Sequence, residues 1–199
     1  VQLDYAKEYG LPDYNRGKNF EEYKWMEDKF WVYTTEFDSS NITAEKLFFI
    51  TKGIDYQYDI YINREKVCSY EGMYRSQEID ITKTIGSKIK IEIVVYPAPK
   101  STLPDVHKDT RDEANQSCKP AVSYGWDFHP RLIPIGIWED VYIEGTERQT
   151  LVKPEVSYSL SSDRTKATIN FKAEGVSDAK WQLIDPDNEI VFEGEGEEV

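Results

Sequence analysis

The sequence predicts an all-β chain built as an antiparallel sandwich, and three observations carry the prediction. Apolar and polar residues alternate at period two in several short segments. Turn-forming residues separate most of these segments. No segment keeps a 3.6-residue period through three helical turns. Strands that alternate in this way have one apolar face each, and sheets bury such faces by packing against one another.

Taken in order, residues 20–26 form the one short helical candidate, and 30–37 and 47–51 read as strands. Tyr56, Tyr58, Ile60 and Ile62 share a face, and Asn63-Arg64 before Lys66-Val67 reads as the turn of a hairpin. Residues 77–81 follow as a strand. The clearest alternation is 88–96, with Ile89, Ile91, Ile93 and Val95 on one side. Residues 97–122 then make a long polar connection carrying Pro97, Pro99, Pro104 and Pro120. A connection of that length inside a compact domain is expected to be functional or disordered, which makes it a candidate site. Residues 138–144 read as a strand, 145–154 as a polar break, and alternation resumes at Ala167, Ile169 and Phe171. Two modules are therefore expected, residues 1–148 and 149–199. The second is short for an immunoglobulin-like sandwich of roughly 100 residues and is expected to be truncated.

The composition removes several classes of function. The 199 residues carry 24 basic and 37 acidic side chains, a net charge of −13, which argues against nucleic acid as a partner. Residues 151–199 hold five basic and eleven acidic side chains, so the acidity is spread over both modules as a solvated surface. No run approaches the roughly 18 apolar residues of a membrane helix, and Val1 does not open a secretory leader, although one could have been removed. The expectation is a soluble, globular protein with no membrane partner. Aromatics make up 14%, which suits strands and sugar-binding surfaces alike.

Candidates for chemistry are few. Cys68 and Cys118 allow one bridge, but nothing in the sequence fixes its geometry, and two free thiols are the plainer expectation. His107 and His129 lie in no nucleophile or metal motif. No nucleophile elbow, phosphate loop, dinucleotide fingerprint or H-E-x-x-H occurs. His107, among Asp105, Lys108 and Asp109, is expected to be a solvated surface residue. Asp185–Asp187 lacks the spacing of a calcium loop, and no metal site is expected. A carboxylate pair for glycoside hydrolysis is defined by a spatial separation that sequence does not reveal.

The informative segment runs from Ser123 to Gly145 and places Trp126, Asp127, Phe128, His129 and Arg131 in a loop punctuated by Gly and Pro before a strand. Two aromatics flank an acid. An aromatic face packs on pyranose C–H groups while a carboxylate accepts bonds from vicinal hydroxyls, so this arrangement suits a sugar. The same residues also fit a purely structural role, with Trp126 and Phe128 plugging the end of the sandwich and Asp127 capping the loop backbone.

Here the chain resembles glycoside hydrolase family 2, and within it the β-mannosidase branch. The first domain of that branch ends in Y-G-W-D-W-x-P-R-L, then G-I-W and a closing strand. The positions read Tyr124-Gly125-Trp126-Asp127-Phe128-His129-Pro130-Arg131-Leu132, then Gly136-Ile137-Trp138. Upstream, Trp25 and residues 30–37, Gly53-Ile54-Asp55, Tyr61-Ile62-Asn63, Gly72-Met73-Tyr74 and Ile79-Asp80-Ile81-Thr82 are similar to further segments of the family. The likeness covers most of residues 11–145. It departs at Phe128, where the family has a second Trp, at Arg64, where it prefers Gly, and at Cys118-Lys119, where a basic pair is common.

The resemblance implies a jelly-roll, galactose-binding-domain-like β-sandwich at 1–148 and a truncated immunoglobulin-like β-sandwich at 149–199. It also implies a TIM barrel beyond Val199 that holds two catalytic Glu residues. On that reading the chain is a non-catalytic portion of an exo-acting retaining glycosidase, needs no cofactor and is inactive alone. Its partners are a terminal β-mannoside and the barrel of the same chain. The family's role for the motif carries over to Asp127, contacting the terminal mannose hydroxyls, with Trp126 beside it. A relative acting on another sugar, as a β-galactosidase or exo-β-glucosaminidase, and a carbohydrate-binding module without chemistry are the alternatives. Family habit favours a periplasmic or secreted location.

Overall fold

Side chains on a strand point alternately to opposite faces, so Ile89, Ile91, Ile93 and Val95 fall on one side of the strand that carries them. In the computed structural model, which describes residues 1–115, 117–147, 154–172 and 180–195, all four are at most 3% exposed. The chain divides into two compact units, Val1–Glu147 and Arg148–Val199.

The first unit is a sandwich. Its larger sheet has the order β1-β7-β4-β5, with β1 at Trp31–Asp38, β4 at Gln57–Ile62, β5 at Glu65–Glu71 and β7 at Lys88–Val95. Registers are antiparallel and bring like faces together. Ile93 lies opposite Tyr33 on one side and Ile60 on the other, and Val95 opposite Trp31 and Tyr58. The facing sheet has the order β6-β2-β9, with β2 at Lys46–Thr51, β6 at Gln77–Asp80 and β9 at Val141–Thr146. Phe49 on β2 meets Ile79 and Ile143 across the strands. The two inner faces share one hydrophobic core. A fully buried aliphatic or aromatic side chain contributes about 1.5–3 kcal/mol, so this core is the main source of stability.

Several expectations are adjusted by tertiary context. The strand expected over 138–144 is shifted: β9 begins only at Val141, and before it Gly136–Ile137 forms the separate short β8. β8 pairs with β3 at Ile54–Asp55, so the Gly-Ile-Asp and Gly-Ile-Trp segments lie side by side. Gly136 sits at φ 118°, and a Cβ there would lie 2.8 Å from the Val1 side chain and run into the Tyr33 hydroxyl. The helical candidate over 20–26 is realised as a 3-10 helix, Asn19–Asp28. A further α-helix, α1 at Gln2–Tyr9, was not foreseen because eight residues carry too few turns for a period to emerge. It is held by aromatics, with Tyr5 edge-on to Trp25 at 5.4 Å and to Trp31 at 5.6 Å. The described residues of the 97–122 connection are not wholly polar. Ala98 and Ala114 belong to the core, and Tyr124, just beyond the connection, is buried with them and donates its hydroxyl to the Pro99 carbonyl at 2.6 Å.

The described residues of the second unit form two antiparallel hairpins, β10 at Glu155–Leu160 with β11 at Ala167–Lys172, and β12 at Lys180–Ile184 with β13 at Ile190–Glu195. Each turn is tied by a carboxylate. Asp163 accepts from Ser161 and Thr165, and Asp185 from the backbone of Asp187 and Glu189. Trp181 stacks on Phe192 with centroids 6.1 Å apart. Of the break expected over 145–154, residues 148–153 lie outside the described part, as do Glu197 and Glu198.

The β4–β5 hairpin turns as its sequence suggests, with Asn63 at φ 50° and Arg64 at φ 71°. The Asn63 side chain accepts from the Lys90 N–H at 2.9 Å. Asn tolerates left-handed backbone, whereas a Cβ-bearing Arg does not favour it. Arg64→Gly is therefore expected to raise stability by about 0.5–1 kcal/mol, once the greater unfolded-chain entropy of Gly is offset. Thermal unfolding checks this, and an unchanged or lower midpoint refutes it.

Candidate functional site

The motif residues form a tight turn. Tyr124 ends a 3-10 helix at Ala121–Tyr124, and Gly125 follows at φ 116°, a conformation that side chains with a Cβ rarely adopt. Trp126 N–H then donates to the His129 carbonyl at 3.0 Å, and His129 N–H returns the bond to Trp126 at 3.2 Å. Asp127 and Phe128 are left at the tip. The His129 Nδ1–H donates to the Pro130 carbonyl at 2.7 Å.

This arrangement removes the structural role considered for the motif. Trp126 is 42% and Phe128 79% exposed, so neither plugs the sandwich. Asp127 is exposed and has no hydrogen-bond partner among the described residues. The backbone donors a cap would satisfy are already paired across the turn by Trp126 and His129, leaving the carboxylate unengaged.

The turn is fixed from beneath by Arg131, which is 5% exposed. Its Nε and Nη2 reach Glu27 at 3.1 and 2.7 Å, its Nη2 reaches Glu113 at 2.6 Å, and its Nη1 donates to the Tyr124 carbonyl at 3.3 Å. Lys100 joins Glu27 at 2.8 Å. Burial disfavours the Arg131 charge, but the two carboxylates outweigh it and hold its pKa above the usual value. The network draws together the 3-10 helix at Asn19–Asp28, the 97–122 connection and the motif. A second buried pair lies nearby: Lys119 Nζ contacts Asp55 at 2.5 Å and the Pro134 carbonyl at 2.6 Å. Burial pushes the Asp55 pKa up against the pull of Lys119, and pushes the Lys119 pKa down against the pull of Asp55. Lys119 thus serves to pin the connection to β3.

The turn stands between two cavities. One of about 520 Å³ is lined by Asp109, Thr110, Arg111, Tyr124, Trp126 and Asp127. The other, of about 630 Å³, takes in Phe128, His129, Leu132, Ile135 and Trp138. The Arg111 guanidinium lies 3.7 Å from the centroid of the Trp126 ring and covers one indole face, leaving Phe128 as the freer aromatic surface. The sequence reading did not single out Arg111. Its only signal was the long connection that contains it. His107 is exposed and pairs with Asp112 at 3.0 Å. Cys68 and Cys118 are free thiols, and burial pushes the Cys68 thiol pKa up.

Residues 1–139 match the family described as the glycosyl hydrolase 2 galactose-binding domain-like family. The chain is 24% identical over 163 residues to beta-mannosidase B of Emericella nidulans and 29% identical over 148 residues to beta-mannosidase of Bos taurus. These matches cover 76% and 66% of this chain but only 19% and 17% of the relatives, so the chain spans about a fifth of their length. Among solved structures, beta-D-mannosidase from Dictyoglomus thermophilum superposes with a TM-score of 0.71 at 22% identity, covering 98% of this chain and 26% of that one. A β-glucuronidase from Ruminococcus gnavus gives 0.54 at 19% identity, covering 85% of this chain and 29% of that one.

Removing the guanidinium would leave Glu27 and Glu113 buried around a lost partner. Arg131→Ala is expected to destabilise the first unit by about 3–5 kcal/mol, measured by denaturant unfolding. A loss below about 1 kcal/mol would show that the network does not hold the turn.

Proposed function

The chain belongs to the glycosyl hydrolase 2 galactose-binding domain-like family, and from that premise we propose that it is the non-catalytic N-terminal portion of an exo-acting, retaining β-mannosidase-like glycosidase. Its first unit contributes residues to the pocket for a terminal β-linked mannose, and its second begins an immunoglobulin-like sandwich. The catalytic carboxylates belong to a barrel domain of the same parent protein, at the separation a double-displacement mechanism requires. The β-mannosidase relatives and the Trp126-Asp127-Phe128 motif support the choice of sugar.

The observation that carries the reading is the Asp127 carboxylate, without a partner among the described residues, at the tip of a hydrogen-bonded turn between two exposed aromatics. A buried or capping acid would be satisfied by protein, whereas this one is held free to accept. Sugar hydroxyls are the donors that fit it, and Trp126 and Phe128 supply the apolar flanks that pyranose C–H groups require. A fold of this kind also occurs in a β-glucuronidase, and folds do not choose sugars. The choice rests on the motif side chains.

Two measurements test the proposal. The purified chain should not turn over an aryl β-mannoside. Persistent turnover, after removal of host enzymes, would place the chemistry within these residues. In the full-length protein, Asp127→Ala should lower kcat/KM on the β-mannoside by about ten- to more than a hundredfold with little change in thermal midpoint, since each charge-assisted bond lost is worth about 1.5–3 kcal/mol. Normal kinetics in that variant would remove Asp127 from the site.

A further inference from the structure

The cavity of about 520 Å³ beside Asp127 contains a cation that the protein leaves unused. Arg111 makes no ion pair among the described residues. Its neighbour Asp112 is engaged by His107, and Glu113 by Arg131. What holds Arg111 is the cation–π contact of its guanidinium, whose central carbon lies 3.7 Å from the centroid of the Trp126 ring. The segment behind it is tied down on both sides. The Thr110 hydroxyl donates to the His107 carbonyl at 2.7 Å and accepts from the Asp112 N–H at 3.3 Å, while Glu113 is bound to Arg131 at 2.6 Å. Because Arg131 also carries the Trp126–His129 turn, one buried ion pair sets both walls of the cavity.

We infer that Arg111 is a substrate-contacting, specificity-determining residue, whose ring-held guanidinium donates to a vicinal diol of a neutral pyranose while Asp127 accepts from it. The inference rests on the glycosidase reading above and deepens it. A guanidinium held against an aromatic face, with no carboxylate of the described residues engaging it, is a positioned cation with N–H groups still available to donate. A sugar hydroxyl donates and accepts at once, so a diol engages both partners. The cavity also holds a second carboxylate, Asp109, which has no partner among the described residues. Two carboxylates against one guanidinium oppose the carboxylate of a uronic acid and leave a neutral polyol as the complementary ligand. Trp126 on this account also positions Arg111, and its remaining exposed surface together with Phe128 meets the sugar's apolar face.

The test uses the full-length protein with Arg111→Met, which keeps an apolar stem on the indole, and Arg111→Lys, which keeps the charge without the planar fork. On an aryl β-mannoside, Arg111→Met should lower kcat/KM by about ten- to a hundredfold, Arg111→Lys should recover part of the loss, and both thermal midpoints should stay near wild type. With a 3-deoxy glycoside, which lacks the hydroxyl common to both vicinal diols of the pyranose, the difference between wild type and Arg111→Met should shrink. Equal kcat/KM in wild type and Arg111→Met would overturn the role of Arg111, while wild-type turnover of the mannoside would leave the glycosidase reading standing. A wild type that prefers the β-glucuronide, with the preference abolished in Arg111→Met, would overturn the neutral-sugar assignment and the mannoside reading together.

Discussion

A guanidinium sealed from water must be matched by carboxylates, and the ion cluster at Arg131 is the constraint on which the candidate site depends. Each ion of a buried pair loses several kcal/mol of hydration, recovered only when the geometry is good and the remaining donors are used. Arg131 meets that demand through Glu27, Glu113 and the Tyr124 carbonyl, and Lys100 adds a second cation against Glu27. These partners come from three stretches of chain far apart in sequence. A cluster that tolerates no loose partner therefore fixes those stretches in one arrangement.

The rigidity below permits the exposure above. Asp127 at a flexible tip would lose conformational entropy on meeting a ligand, and its affinity would fall accordingly. Here Gly125 sets the entry to the turn, the Trp126–His129 bridge closes it, and Arg131 anchors its exit. Among the described residues Asp127, Asp109 and Arg111 have no charged partner, and Phe128 stays exposed. Such unspent interactions are the usual mark of a surface selected for a ligand over stability.

The sandwich itself does not decide the sugar. Its registers, the core of Tyr58, Ile60, Ile89, Ile93 and Val95, and the pairing of β3 with β8 account for where the loops emerge. Chemistry belongs to the side chains on those loops, which is why one architecture accommodates both mannosidase and glucuronidase neighbours. The 97–122 connection joins the two levels. Ala98 and Ala114 complete the core, while Asp109 and Arg111 reach the cavity.

By itself the sequence determined the all-β class, the inward faces of β4 and β7, the Asn63-Arg64 turn and the place of the Trp126-Asp127-Phe128 motif. These follow from local rules: a period of two, the residue types tolerated at positive φ, and motif residues adjacent in the chain. Only the tertiary structure decided that Trp138 lies between two strands, that residues 2–9 form a helix, that Asp127 stands free of its own backbone and that Arg111 lies on Trp126. The physical reason is range. Glu27 and Arg131 are 104 positions apart, and Asp55 and Lys119 are 64 apart. No local pattern among 37 acidic and 24 basic residues tells which of them will share a buried site until the sheets have folded and brought their loops together.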